Sequence, residues 1–270
     1  MEKGDERLAA KVRITSLVVM MILSVVLGLI IFAYIVASPE VFGVSNSPIR
    51  QVAFYVTAGL IYGIPGLICI RLFSRKPEWI APPGKYTPEA KYSVFSPYAL
   101  AASAVVAAAG VVAGFPGPIN IDIVAMVTAF SAVYFGPAVS FLGTFVAFIL
   151  RYLIGLTPWV ATPNILIAYA ILDGGVWSVN SLIFWYVIRG FKLKGNVKSV
   201  ATVLMAFVFM AIHFFGWCGV NYFTNNPFEA AVANLMCAIG PTGFVMSSWA
   251  AQMVGTLIGA FYYDSRLVKA

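Results

Sequence analysis

The chain has 270 residues, 61% hydrophobic and only 10% charged, with a mean hydropathy of +0.92, a net charge of +7 and a pI near 9.3. Soluble domains carry about 25% charged residues, so the composition excludes an ordinary water-soluble globular protein and makes lipid the expected solvent for most of the chain. The positive balance comes without an RNA-binding motif, basic arm or zinc finger, so it is expected to set membrane topology, with no nucleic-acid partner.

Residues 1–13 are polar and mixed in charge. Residues 14–37 are uncharged and too long for a signal-peptide core, which predicts a retained helix. A second span is predicted over 51–73. Its Gly59-xxx-Gly63 pattern followed by Pro65-Gly66 predicts close packing and a kink. The polar, Pro-rich stretch 74–96 reads as a cytoplasmic linker. It divides the chain into 1–73 (N-terminal tail and two transmembrane helices) and 97–270 (a six-helix membrane domain).

In that second unit, 97–114 is a helix of unusually small residues, 115–120 (FPGPIN) a tight loop, and 121–135 a helix ending at a Gly136-Pro137 break. Further spans are expected at 138–155, 164–188, 199–222 and 229–262, the last interrupted at Gly240-Pro241. The fold class that results is an all-α polytopic transmembrane bundle of about eight helices, two plus six.

Charge orients it. With a cytoplasmic N-terminus, 15 of the 17 Lys and Arg residues fall on the inner side, leaving Arg50 and Arg151 toward the outside. Both termini are then cytoplasmic in a multi-pass cell-membrane protein, and the uncharged Gly136-Pro137 break must turn on the inner side. Cys69, Cys218 and Cys237 lie in apolar runs without a CxxC partner and read as buried hydrophobes. A single histidine excludes a multi-histidine metal site within one chain, and neither a metal nor a cofactor is expected.

Two features stand apart from generic hydrophobic helices. On 97–114, Ala99, Ser103, Ala107, Gly110 and Gly114 share one face. Small faces allow close helix approach, either inside the chain or against another membrane subunit. Second, polar residues at membrane depth each call for a partner or a role. Asn120 and Asp122 open their helix outside, Arg151 lies near an outer helix end, Asn164 starts the next helix, and Asp173 lies nine residues deeper. His213, Trp217 and Asn221 recur every four residues on one face. Asn234 lies early in the last helix. Asp173 and His213 fall at similar depth and can pair; an ion pair of Asp173 with Arg151 is the structural alternative. Trp217 is the expected stacking platform for a flat ligand. The inner half holds little beyond Asn180, Ser181 and Gln252, so the cluster opens outward.

These residues carry a resemblance. The short Ala-rich helix, the FPGPIN loop, a helix beginning INID and the turn YFGPAVSFLG at 134–143 resemble the substrate-binding S component of energy-coupling factor vitamin transporters, over about residues 97–264. The resemblance implies a six-helix unit that captures a small molecule outside and performs no chemistry. It also implies docking, through Ala99, Ser103 and Ala107, on a transmembrane coupling subunit driven by two cytoplasmic ATPases. The chain has no GxxxxGK[ST] phosphate loop, so ATP energy would come from that partner. Two other classes stay open: an intramembrane enzyme acting on lipid-linked substrates with Asp173 and His213 as acid and base, and a structural subunit of a larger membrane complex.

Overall fold

The structure, a computed structural model, describes residues 19, 23, 48–81, 85–114, 123–156, 166–224 and 244–268; at 49, 50, 53, 54, 210, 214–224, 244–250 and 264–268 it describes the backbone alone. It is all-α. The helices are α1 (Pro48–Ala58), α2 (Ile64–Phe73), the single turn α3 (Pro77–Ile80), α4 (Pro97–Ala113), α5 (Ile123–Tyr134), α6 (Pro137–Leu153), α7 (Leu166–Phe184), α8 (Gly195–Thr224) and α9 (Phe244–Val268). Among the described residues, three stretches are long and apolar enough to cross a membrane: Tyr55–Phe73, Leu166–Gly190 and Gly195–His213. The helix expected over 14–37 lies outside the described residues, apart from Val19 and Leu23, which are helical and exposed. The expected interruption at Gly240-Pro241 also lies outside them.

The predicted kink takes a specific form. A π-helical turn, Gly59–Gly63, joins α1 to α2, and the Ile64 amide bonds to the Gly59 carbonyl five residues back. Pro65 follows at the start of α2. A proline ring clashes with the carbonyl four residues earlier and brings no N–H, so widening the turn is the local solution. Gly59 has open space around it, so its glycine is not needed for packing, whereas a Cβ on Gly63 would come within 2.9 Å of Ile171.

The centre of the bundle is α7, which packs on α1, α2, α5, α6 and α8. Its Gly174-Gly175 pair lets two neighbours in. A Cβ on Gly174 would lie 3.0 Å from the Phe141 carbonyl, and one on Gly175 would strike the Tyr62 backbone. Ser178 then donates across the gap to the Gly66 carbonyl at 2.9 Å. The helix before the 74–96 stretch is thus packed into the unit that follows it. The stretch itself is tethered at its start, where Trp79 and Ile80 join the main apolar cluster. A second seam joins α5 to α9, where Gly255 and Gly259 lie against the Met126 and Phe130 backbones.

Outward-facing side chains are apolar: Leu67, Val105, Val112, Leu153, Val200 and Phe261 all stand exposed. Inward positions include Ser131, Ser140, Ser178, Ser181, Asn180 and Gln252, none with exposed surface. That arrangement suits lipid as the surrounding medium. Hydroxyls inside helices bond back to carbonyls of their own helix, as Ser103 does to Ala99 and Thr256 to Gln252.

The Gly136-Pro137 break separates α5 from α6. Gly136 has φ +96°, a conformation reserved for glycine, and the Phe73 ring lies over it. Phe73 also meets Trp79 and Trp185. The uncharged turn therefore lies at the end of the bundle that carries the basic segments 71–91 and 189–198, as the charge-based orientation requires. A Gly136→Ala change adds backbone strain and places a methyl 2.6 Å from Phe73 Cζ. It is expected to cost roughly 2–5 kcal/mol, read as a lowered unfolding midpoint in detergent; an unchanged midpoint would contradict this turn geometry.

Candidate functional site

The site forms where α7, α8 and α9 meet. On α7, Asp173 and Trp177 are one turn apart; on α8, Phe209 and His213 are one turn apart. The two pairs interlock. His213 Nε2 lies 3.2 Å from Asp173 Oδ1. Trp177 meets Phe209 edge-on at 6.0 Å and His213 at 5.4 Å. From α9, the Gln252 amide nitrogen lies 3.4 Å from His213 Nδ1. Tyr62, from the π turn, donates to the Ile212 carbonyl at 2.6 Å and fixes the α8 backbone beside the histidine.

Burial gives this set its weight. Asp173 retains 6% of its exposure, Trp177 1% and Gln252 none. The Asp173–His213 contact has ion-pair distance, but Oδ1 makes no aligned hydrogen bond. A buried carboxylate is costly unless compensated, so the imidazole is its main electrostatic support. If Nε2 carries the proton facing Asp173, Nδ1 is the acceptor for the Gln252 amide, and both ring nitrogens are engaged within the protein. The arrangement can exchange a proton between carboxylate and imidazole. It can also offer the carboxylate to a hydrogen-bond donor or cation.

The pairing of Asp173 with His213 agrees with their expected common depth. Their 3.2 Å contact sets the two side chains at one level. Arg151 is not the partner of Asp173. It sits in the last turn of α6, where a cation is favoured, and its side chain lies across Gly114; a Cβ there would be 2.7 Å from Nε. Asn120, Asp122, Asn164 and Asn234 lie outside the described residues. Trp217 and Asn221 lie on the α8 backbone, with side chains outside the description.

Two participants were not expected. Trp177 stands as an aromatic wall at His213. Gln252, expected in the inner half, stands level with the pair, since its amide meets His213.

The small face of α4 needs correction as a docking surface. Ala99, Ser103 and Ala107 are buried, and the face packs inside the chain against α6. Gly110 approaches Ala147, and Val106 and the Ser103 carbonyl close over Gly143. Small residues allow this approach, and α6 already occupies the space. The face of α4 turned outward is Leu100, Ala101, Ala104, Val105 and Ala108.

No protein-family model, curated protein or solved structure matches the chain.

His213→Ala would leave the Asp173 carboxylate buried without its partner. The expected loss is about 3–5 kcal/mol of stability, followed by thermal unfolding. The double change Asp173→Ala with His213→Ala should lose clearly less than the two single losses combined; strict additivity would mean the pair does not interact.

Proposed function

We propose that this chain is the membrane-embedded substrate-binding subunit of an ATP-driven importer for a vitamin or other small cofactor precursor. The observation that carries the reading is the buried Asp173–His213–Gln252 set, with Trp177 beside it, in a bundle whose outer surface is apolar. Intramembrane ionisable residues are costly and rare, and they concentrate on substrate and ion pathways. A carboxylate, an amide and an indole together suit a small, flat, polar molecule.

In this reading the protein is a multi-pass cell-membrane protein with both termini cytoplasmic, and the site opens from the outer half. The basic segments at 71–91 and 189–198 then face the cytoplasm. Energy comes from cytoplasmic ATPases acting through a transmembrane coupling subunit. The outward face of α4, with Ala101, Ala104 and Ala108, is the surface offered to that subunit, in place of the buried Ala99, Ser103 and Ala107. The resemblance of residues 97–264 to S components supports the assignment through the FPGPIN loop and the YFGPAVSFLG turn.

Mass spectrometry of the purified chain should find a co-purifying small molecule. Asp173→Asn should weaken its binding by about ten-fold or more, the worth of a hydrogen bond to a charged group. Absence of any ligand, across a panel of vitamins and precursors, would end this reading. Loss of turnover on a lipid-linked substrate, with affinity unchanged, would favour an acid–base enzyme instead.

A further inference from the structure

The basic end of the bundle carries a patch that substrate capture does not use. Trp79, in the α3 turn, meets Tyr186 edge-on at 5.0 Å, and Lys76 Nζ lies 5.7 Å from the Trp79 ring. Gly190 stands beside the same indole; a Cβ there would be 3.9 Å from it. The segment after α2 and the segment after α7 are therefore neighbours. Together they gather Arg75, Lys76, Lys192 and Lys194, with Glu78 the one carboxylate of 71–81 and no acidic residue in 189–198. Arg189 is not part of the patch. It is held between the Trp185 and Tyr263 rings, 3.4 and 3.2 Å from their centroids, and donates to the Val133 carbonyl.

Two details point to what the patch meets. Phe191, between Gly190 and Lys192, is 74% exposed, the highest exposure among the large hydrophobics described. Lys192 has φ +52°, and among the described residues no other non-glycine has a positive φ. Its position closes the end of the π-helical Trp185–Gly190 segment: the Leu193 amide bonds to the Ile188 carbonyl at 3.1 Å, and Leu193 packs on the core. Glycine is the usual residue there, because a side chain in this conformation costs stability. A lysine in a conformation that favours glycine, beside an exposed phenylalanine, points to a use for its charge.

We propose that this patch binds the headgroup phosphate of an anionic phospholipid in the adjoining leaflet. Lys192 and Lys194 reach the phosphate, Arg75 and Lys76 add attraction, and Phe191 enters the acyl boundary. The apolar Phe191 ring suits the acyl side of that boundary, and lysine stems lie along apolar surface while their ammonium groups reach the headgroups. Four cations beside one carboxylate favour an anion over a zwitterionic lipid. The inference rests on the membrane reading and is independent of whether the chain captures a substrate.

The test uses the full chain in detergent, titrated with phosphatidylglycerol, phosphatidylcholine or inorganic phosphate and followed by thermal unfolding. Phosphatidylglycerol should raise the melting temperature of the wild type, and the other two should not. Lys192→Gly should melt higher than wild type without lipid, because strain is relieved, yet bind phosphatidylglycerol about five-fold more weakly. Lys194→Ala should weaken binding by a similar factor, and Lys192→Arg should keep it. Equal phosphatidylglycerol shifts in wild type and Lys192→Gly would overturn the proposal. So would a shift reproduced by phosphatidylcholine or by phosphate alone. Displacement of the lipid from this patch by an acidic protein partner, with no loss of membrane retention, would assign the patch to that partner instead. A ligand-free chain that still shows these lipid shifts would refute substrate capture without touching this inference.

Discussion

The constraint on which the rest depends is the satisfaction of backbone carbonyls where α5 stops. A helix leaves its last carbonyls without intrahelical partners, and Pro137 brings no N–H to help. Ala132 and Val133 are fully buried, so water cannot make up the difference. The chain solves this from α7. Ser181 donates to the Ala132 carbonyl at 2.6 Å, the Trp185 indole to the same oxygen at 3.2 Å, and Arg189 to Val133. Residues 181, 185 and 189 recur every four positions, so one edge of α7 and its π-helical extension caps the end of another helix. That fixes the vertical register of α7, and with it the level of Asp173 and Trp177.

The site inherits its order from this register. Two pairs one turn apart, Asp173 with Trp177 and Phe209 with His213, interdigitate across α7 and α8. Gln252 closes the third side. Each polar group answers a cost imposed by another: the carboxylate needs the imidazole, and the imidazole is oriented by the amide. A set of this kind is sensitive to small shifts between helices, because buried charge tolerates little misalignment. Anything that separates α8 from α7 changes the electrostatic state of Asp173 directly.

Much of this was legible in the sequence, for physical reasons. Hydropathy and Pro/Gly punctuation located α4, α5, α6 and α7 closely, because a helix ends where a proline withholds a backbone donor or the apolar run stops. Depth counting paired Asp173 with His213. The same counting put Gln252 in the inner half, whereas its amide meets His213, because depth along a helix does not say which residues of neighbouring helices stand side by side. The small face of α4 was visible, but its neighbour was not. Composition states that close approach is possible and does not say which helix approaches. The Gly255-xxx-Gly259 pattern on α9 was an available signal for the seam with α5 and went unread. The left-handed Lys192 had no signal, because glycine stands nearby at positions 190 and 195 and would have been the expected choice.

The π-helical turn at Gly59–Gly63 does more than accommodate a proline. One extra residue in a helix rotates everything before it by about 100° relative to everything after it. The turn acts as a phase shifter. It lets one apolar rod lie against α7 through both of its halves while α1 reaches α8 and α2 reaches α6. A straight α-helix of the same sequence would turn α1 to a different side and could not keep both the α8 and the α6 contacts. The rod thus works as a two-sided bracket, and Tyr62, within the shifted turn, marks the point where its allegiance changes.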